Sequence, residues 1–211
     1  MDWDSGFLIF IQEHLRSEAL TPALKVITHT CDSGWIWIIL CVALLIYPKT
    51  RRFGVIAGAS LALEAIITNL IIKNAVARTR PYEAIDGLVN LIEKQKDYSF
   101  PSGHTGASFA VAGVLLLIAL IGLPVAKEAG IMTRAKTTSS YKYFALLALI
   151  YATIIAYSRL YVGVHYPTDV LGGLLLGLGT SVLSYYVYHL VIKKLSVNQA
   201  KKKANENAAG E

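Results

Sequence analysis

Three short stretches of this chain carry side chains that could bind an anion and move a proton. One of them, residues 158–169 (SRLYVGVHYPTD), places an Arg, a His and an Asp between two apolar runs. Ionisable groups beside hydrophobic segments are costly unless they are paired or functional. Pro167 fits the first position of a helix, which makes Asp169 its third residue. The Asp169 carboxylate can then reach back over the turn to His165, so the sequence predicts a His–Asp pair with Arg159 as a cation nearby.

A second stretch, Lys73 to Pro81, adds basic groups at the end of an apolar run. Lys73 offers a point charge, whereas Arg80 offers a planar fork that can hold two phosphate oxygens. Pro81 disfavours a helix at the residue before it. Taken alone, this cluster is better explained by basic side chains that reach the membrane interface. Lys73 and Arg80 are the predicted phosphate clamps of this stretch. Arg78, which lies between them in the sequence, is not included in the predicted site.

The third stretch, Pro101 to Thr105, opens an apolar run. Ser102 is a favoured N-cap residue, and Gly103 lets a ligand approach the backbone closely. The unpaired N–H groups at a helix start form a ready anion site. His104 lies in that first turn and could give a proton to a leaving oxygen. Taken alone, a capped helix with a structural His remains the commoner explanation.

A histidine held by a carboxylate can act as a nucleophile. When Asp169 accepts one ring N–H, it fixes the tautomer of His165 and leaves the other nitrogen free to attack. A lone His–Asp pair is often only a structural hydrogen bond. Two histidines and three basic clamps on one face of a protein are much harder to explain without a phosphate.

Composition indicates which elements must position these residues. The chain of 211 residues is 55% hydrophobic and 16% charged, with a mean hydropathy of +0.50, whereas soluble domains average about 25% charged residues. We therefore expect an integral protein of the bilayer, with one membrane domain over residues 1–195 and a disordered tail over 196–211. The net charge of +6 comes from short loops rather than a basic face, so no nucleic-acid partner is expected. Cys31 and Cys41 are interpreted as small buried side chains, and Asp2 and Asp4 argue against a cleavable signal peptide.

The apolar runs predict an all-α bundle of six membrane helices. Five runs are clear, at residues 33–48, 53–72, 105–126, 143–157 and 170–192. The first helix, within residues 5–32, is interrupted by charged residues, and it could span the bilayer or lie partly in the interface. Glu64 falls in mid-span, with a functional and a structural role equally open. The pairs Gly54–Gly58 and Gly173–Gly177 allow close helix contacts, within the bundle or between protomers.

Loop charges predict the orientation of this multi-pass protein in the cell membrane. Basic residues cluster at 49–52, in the loop of Lys127 to Lys142, and after residue 192. Alternating spans put all three groups on one face, which the positive-inside rule assigns to the cytoplasm together with the C-terminus. The three anion-suited stretches then share the extracytoplasmic face. That face is unusually basic for an external one, which a bound anion would explain.

Together the three stretches resemble a known signature. Lys-x6-Arg-Pro (73–81), Pro-Ser-Gly-His (101–104) and Ser-Arg-x5-His-x3-Asp (158–169) match the three motifs of the type 2 phosphatidic acid phosphatase superfamily. The chain resembles its bacterial membrane lipid phosphatases, a branch that includes undecaprenyl-diphosphate and phosphatidylglycerophosphate phosphatases. The resemblance implies that His165 attacks phosphorus to form a phosphohistidine, that Asp169 orients it, and that His104 protonates the leaving group and then activates water. It also implies a phosphate site made by Lys73, Arg80, Arg159 and the backbone N–H groups of Ser102 and Gly103.

The expected function is therefore metal-independent hydrolysis of membrane lipid phosphates or diphosphates, with no cofactor. The resemblance, taken together with an outward site, implies undecaprenyl diphosphate as the favoured substrate, followed by phosphatidylglycerophosphate and phosphatidic acid. Two alternatives stay open: a lipid phosphotransferase that uses the same site, and a lipid-binding or transport bundle without turnover. The sequence does not predict the oligomeric state.

Overall fold

The computed structural model describes residues 2–126 and 132–209. The chain is mostly helical. The helix Arg51–Ile66 continues into a π-helical segment, Ile67–Ile72, and then into a final α-helical turn, Lys73–Val76. A similar π-helical turn, Ile11–Leu15, extends α1. The elements are α1 Trp3–Phe10, α2 Leu20–Thr30, α3 Trp35–Ile46, α4 Arg51–Ile66, α5 Lys73–Val76, α6 Pro81–Ala84, α7 Gly103–Ile121, β1 Leu123–Ala126, β2 Met132–Ala135, α8 Ser139–Tyr161 and α9 Pro167–Ala209.

Four helical stretches in the described residues are long and apolar enough to cross a membrane: Arg51–Ala84, Gly103–Ile121, Ser139–Tyr161 and Pro167–Lys202. Helices α2 and α3 would make a fifth span if they cross together, although they bend by 49° at their junction. Ser33 and Gly34 create this bend with positive φ angles. Helix α1 and its π turn are shorter than the roughly 20 residues that a span requires. Six spans therefore stay a prediction.

Helix α7 forms the centre of the bundle, where it contacts α3, α4, α8 and α9. Its small side chains leave room for α9, which approaches at Gly173 and Gly177. A Cβ atom would lie 2.5 Å from the Ser102 carbonyl oxygen at Gly173, and 2.4 Å from the Gly106 carbonyl oxygen at Gly177. Only glycine permits this approach of two backbones. This glycine pair therefore acts within the bundle and fixes the start of α9 against the start of α7.

The other glycine pair behaves differently at its two members. Gly54 lies against α3, where a Cβ atom would come within 2.7 Å of the Leu45 backbone nitrogen. A Cβ atom at Gly58 would meet nothing within 4 Å. Of this second pair, Gly54 makes a close contact inside the bundle and Gly58 does not.

The chain is mostly helical, as expected, and its departure from an all-α bundle in the described residues is a short antiparallel hairpin after α7. Strands β1 and β2 pair Leu123 with Ala135 and Ala126 with Met132. Helix α7 ends at Gly122, whose φ of 81° leaves the helical region, and Pro124 disfavours a restart of the helix. Lys127 of the predicted basic loop lies outside the described residues.

The predicted tail begins inside a helix. Helix α9 continues without a break to Ala209, past residue 196, where composition predicts disorder. Alanine, lysine and glutamate are strong helix formers, and Lys202 and Glu206 form an i,i+4 pair at 3.8 Å. Gly210 and Glu211, the last residues of that tail, lie outside the described residues.

The directions of the helices place the basic loops and the three anion-suited stretches at different ends of the bundle. Helices α4 and α8 run toward the three stretches, and α7 and α9 run away from them. Arg134, Lys136 and Lys142 line a small cavity around Gly122 at the far end of α7. The basic loop residues and the candidate site thus lie at opposite ends of the bundle. Which membrane side each end faces stays a prediction.

Candidate active site

The start of α9 brings His165 and Asp169 together. Asp169, at the third helical position, accepts a hydrogen bond from the Tyr166 backbone N–H at 2.9 Å through Oδ2, as carboxylates at this position commonly do. The same oxygen lies 3.4 Å from His165 Nδ1, a long contact. Both side chains are buried. The helix start therefore aims the carboxylate at the imidazole.

Two further groups fix the Asp169 carboxylate. The Ser99 hydroxyl donates to Oδ2 at 2.5 Å, and Arg78 Nη1 donates to Oδ1 at 2.7 Å. A fully buried carboxylate is stable only when it is paired and hydrogen-bonded. The two oxygens divide their partners: Oδ1 serves Arg78, and Oδ2 faces His165.

The second nitrogen of His165 faces the phosphate clamps. Its Nε2 lies 3.3 Å from Arg80 Nη1. Because a guanidinium only donates, Nε2 accepts here, and we assign the ring proton to Nδ1, facing Asp169. Burial, with the Arg80 and Arg159 charges, outweighs the opposing effect of Asp169 and lowers the pKa of His165 to about 3. His165 is therefore a neutral imidazole with a free lone pair at Nε2, the form that a nucleophile needs.

Arg159 is a buried cation with donors to spare. Only 1% of the residue is exposed, and its Nη1 donates to Thr28 Oγ1 at 2.6 Å. Among the side chains that the structure describes, Nε and Nη2 of Arg159 are the buried polar atoms without a hydrogen-bond partner. Unpaired buried donors are expensive. These two N–H groups form one edge of the guanidinium, which suits two oxygens of a phosphate.

Lys73 and Arg80 share one carboxylate. Lys73 Nζ contacts Oδ2 of Asp97, and Arg80 Nη2 donates to its Oδ1 at 2.6 Å. Burial acts to raise the pKa of the Asp97 carboxyl, but the two cations outweigh it and lower the pKa to about 2. Asp97 thus places two anionic oxygens on the clamps, as a phosphate would. Its side chain is 46% exposed, so it has room to leave.

His104 lies at the start of α7 beside a second carboxylate. Its Nε2 is 3.1 Å from Asp32 Oδ1, at the bend between α2 and α3. Asp32 Oδ2 in turn lies 2.8 Å from His29 Nδ1. A carboxylate in this place fixes the orientation of the imidazole and holds Nε2 toward Asp32. His104 therefore lies in a fixed orientation at the edge of the cavity.

The Pro-Ser-Gly-His turn joins the other two clusters. Ser102 caps α7 by accepting from the Thr105 N–H at 3.4 Å, and its own N–H donates to the Asp169 carbonyl oxygen at 3.0 Å. The expectation that this N–H binds phosphate is therefore not met here, where it ties α7 to α9. At Gly103, a Cβ atom would lie 3.7 Å from Lys73 Nζ. The Gly103 backbone thus lies next to the clamp.

A cavity of about 680 Å³ runs from this polar group along α3, α4 and α7. Lys73, His104 and Asp97 line one end. Glu64 lines the wall deeper in the bundle, where it accepts from Thr68 Oγ1 at 2.6 Å. The apolar wall is formed by Ile38, Cys41, Val42, Leu61, Ala62, Ala65 and Ala107. A polar end and an apolar wall suit a lipid with an anionic headgroup.

The two cysteines are buried and free, as expected. Within residues 2–126 and 132–209, His, Cys, Asp and Glu side chains form no group of three or more that could hold a metal ion.

Sequence reasoning missed several residues that hold the site. Arg78 is absent from the predicted site, yet it binds Asp169 directly. Asp32 and Asp97 meet their partners across 72 and 24 residues, and no local pattern marks such pairs. The one available signal is that both stand close to apolar runs, where a carboxylate needs a partner.

Comparison with known proteins identifies the family of this chain. A profile of the PAP2 superfamily matches residues 53–193, which is more than half of the chain. The chain belongs to the PAP2 superfamily. The match includes all three motifs, from Lys73 to Asp169.

Among the relatives of this PAP2 chain is the undecaprenyl-diphosphatase of Sulfolobus acidocaldarius, 33% identical over 153 residues; the match covers 72% of this chain and 64% of that protein. This chain therefore spans less than two thirds of that relative. Phosphatidylglycerophosphatase B of Bacillus subtilis is 29% identical over 167 residues, or 78% of this chain and 73% of that protein. The crystal structure of Aquifex aeolicus LpxE covers 87% of this chain and 95% of its own, with a TM-score of 0.64 and 22% identity, which supports the fold.

Proposed function

We propose that this PAP2 chain hydrolyses membrane lipid phosphates or diphosphates through a phosphohistidine. The observation that carries the proposal is the buried guanidinium of Arg159, whose Nε and Nη2 lack a partner in the described part of the chain. Its charge acts on both His165 and His104. A buried cation with free donors whose charge reaches two histidines is a prepared site for a dianion.

In the first step, His165 Nε2 attacks phosphorus, and the bond from phosphorus to the leaving oxygen breaks. Asp169 stabilises the imidazolium that forms, since it already faces Nδ1. His104 gives its proton to the leaving oxygen, and a lipid alcohol or, from a diphosphate, a lipid monophosphate departs. Lys73, Arg80 and Arg159 neutralise the charge that builds on the equatorial oxygens.

In the second step, water attacks the phosphohistidine. His104, now neutral, takes a proton from that water, because the group that protonates the leaving oxygen can act as the base in reverse. The P–N bond breaks, inorganic phosphate is released and His165 returns to its neutral form. Asp97 must leave the clamps before a phosphate enters and can return afterwards.

The cavity supports a lipid substrate, because its apolar wall begins next to the clamps. We propose undecaprenyl diphosphate as the first candidate, since an undecaprenyl-diphosphatase is among the relatives and the loop charges favour an extracytoplasmic site. Phosphatidylglycerophosphate comes next, because phosphatidylglycerophosphatase B is another relative, and phosphatidic acid is third. The three lipids differ in the group that is bonded to the terminal phosphate, so a panel of them separates these candidates.

Phosphate release from undecaprenyl diphosphate, phosphatidylglycerophosphate and phosphatidic acid, measured in mixed micelles with excess chelator, tests the proposal. We expect release from at least one lipid, with inorganic phosphate as the sole phosphoryl product even when acceptor alcohols are added. Activity that disappears with the chelator would refute metal independence, and transfer to the alcohol would indicate a phosphotransferase.

The nucleophile is tested by His165→Ala, with His189→Ala, about midway along α9, as its control. We expect the first variant to lose all phosphate release and acid-labile labelling by a radioactive lipid phosphate. The second should keep both, since His189 contacts only Tyr186 among the aromatic side chains described. Equal activity of both variants would contradict a phosphohistidine at position 165.

A further inference from the structure

Helix α1 contributes a carboxylate to the back of the candidate site. Asp4 is buried, with 4% of the residue exposed, although it lies in the first turn of a short helix at the edge of the bundle. Its Oδ1 accepts from the Thr168 backbone N–H at 3.0 Å. Its Oδ2 accepts from Arg78 Nη2 at 2.7 Å and contacts the Thr168 hydroxyl. None of these contacts reaches the cavity, so Asp4 holds other protein groups.

Arg78 connects Asp4 to the nucleophile. While Nη2 binds Asp4, Nη1 donates to Asp169 Oδ1 at 2.7 Å and to Thr168 Oγ1 at 2.6 Å. The guanidinium also lies 3.8 Å above the Tyr166 ring. The Arg78 backbone oxygen accepts from the N–H of Ser99 at 2.9 Å, the residue whose hydroxyl binds Asp169. Arg78 thus bridges two buried carboxylates, Asp4 and Asp169.

The link determines how Asp169 is oriented. Arg78 occupies Oδ1, which leaves Oδ2 directed at His165. Without Asp4, the guanidinium would keep one carboxylate partner and could turn toward solvent, since 28% of its side chain is exposed. Asp169 could then rotate away from a contact with His165 that is already 3.4 Å long. The Thr168 N–H, one of the unpaired groups at the start of α9, would lose its acceptor as well.

Packing of α1 holds Asp4 in place. Asp4 and Leu8 are the buried residues of α1, one turn apart on the same face. Leu8 belongs to a small apolar cluster with Leu88 and Tyr166. Because Tyr166 directly follows His165 in the chain, the same cluster anchors α1 to the segment that carries His165.

We propose that Asp4 is a positioning residue for phosphoryl transfer, which acts by locking Arg78 onto Asp169 and so keeps Asp169 aimed at His165. This inference rests on the proposed function, because it needs a reaction at His165. It gives helix α1 a role in the chemistry, although α1 lies outside the region that the family profile matches.

The test compares purified full-length variants on whichever of undecaprenyl diphosphate and phosphatidic acid the wild type hydrolyses faster. Asp4→Asn should lower kcat by about 10- to 100-fold while KM changes by less than about twofold, since second partners of reactive groups act on orientation rather than on substrate binding. Asp4→Glu keeps the carboxylate and should recover part of the loss. Asp2→Asn is the matched control: Asp2 caps the same helix from an exposed position, and asparagine caps equally well.

A double-mutant cycle separates positioning from general destabilisation. If Asp4 acts through Arg78, then Asp4→Asn should add no further loss of kcat in an Arg78→Ala background. Should Asp4→Asn fail to fold, Arg78→Lys replaces it, since lysine keeps the charge but cannot bridge two carboxylates; the same loss of kcat at constant KM is expected.

Near wild-type kcat in folded Asp4→Asn or Arg78→Lys would overturn the inference, as would additive losses in the cycle. A wild-type protein that hydrolyses no lipid would instead refute the proposed function. The two failures are therefore distinguishable.

Discussion

Replacing Gly173 by alanine should push the start of α9, next to His165 and Asp169, away from the start of α7, which carries His104. A Cβ atom there would lie 2.5 Å from the Ser102 carbonyl oxygen and 3.1 Å from the Gly106 backbone nitrogen. These are backbone atoms of α7, which no side-chain rotation can move. Since non-bonded contacts need roughly 3.5 Å, α9 must retreat by about 1 Å. His165 and Asp169 would move with α9, while His104 would stay with α7.

The expected loss is a consequence of this displacement. A misplacement of about 1 Å between reacting groups can cost about 100-fold in rate, so kcat of Gly173→Ala should fall by that order. Overpacking should also lower stability by about 1–3 kcal/mol, partly offset by the better helix propensity of alanine. The assay is phosphate release from the lipid that the wild type prefers, well below the unfolding midpoint of the variant in the same detergent.

Gly179→Ala supplies the control on the same helix. A Cβ atom at Gly179 would meet nothing within 4 Å, so this variant should keep wild-type kcat with equal or higher stability. A folded Gly173→Ala protein with kcat within about twofold of wild type would refute the reasoning. So would an equal loss in both variants, because that would show a general sensitivity of α9 rather than a contact with α7.

Three further predictions concern single side chains. Asp97→Asn should strengthen inhibition by inorganic phosphate by up to about fivefold, because it removes a half-exposed competitor worth roughly 0.2–1 kcal/mol; unchanged or weaker inhibition would contradict this. Asp32→Asn should slow lipid phosphate hydrolysis by about tenfold yet spare p-nitrophenyl phosphate, whose leaving group needs no proton from His104; equal losses on both substrates would show that Asp32 does not act through His104. His165 has its folded-state pKa at about 3, below the unfolded value of about 6.5, so it destabilises the fold progressively as pH falls through that window. The unfolding midpoint of His165→Gln should therefore drop less than that of wild type between about pH 7 and pH 4.5, and identical drops would disprove the shift.

Local rules account for the parts of the site that sequence reasoning located. Pro167 starts a helix, and a carboxylate at the third position of a helix faces the residue before its cap. His165 and Asp169 therefore meet through a contact only four residues long. The same holds for the cap at Ser102, which depends on the next turn alone. Such contacts are set by backbone geometry, which the sequence determines within a few residues.

The contacts that sequence reasoning missed are set by helix packing. Asp4 reaches Arg78 across 74 residues and Thr168 across 164, and these distances close only once α1 docks beside α9. The direction of α1 depends on few apolar residues, since much of its surface is exposed. Periodicity could mark Leu8 as a core residue, but it could not say which helix start would lie above Asp4.

The hairpin after α7 and the span count have similar origins. Gly122 and Pro124 could have indicated that the helix ends there, yet hydropathy alone extends the run to residue 126. Charged residues in the N-terminal segment blur the boundary between an interfacial helix and a span. In both places the apolar pattern is shared by more than one backbone conformation.

Four aspartates contact the basic and histidine side chains of the candidate site. The exposed fractions of their side chains indicate two different roles. Asp4 and Asp169 have side chains 6% and 0% exposed, so they stay fixed and hold Arg78 and His165 in place. Asp97 and Asp32 are 46% and 49% exposed, so they can yield to a ligand or to a change in the charge of His104. A site built for a dianion is strongly cationic when empty, and unpaired buried cations are unstable. The exposed pair, Asp97 and Asp32, can neutralise that charge when no anion is bound, while the buried pair, Asp4 and Asp169, holds Arg78 and His165 in place, which explains why an electropositive pocket has so many acids around it.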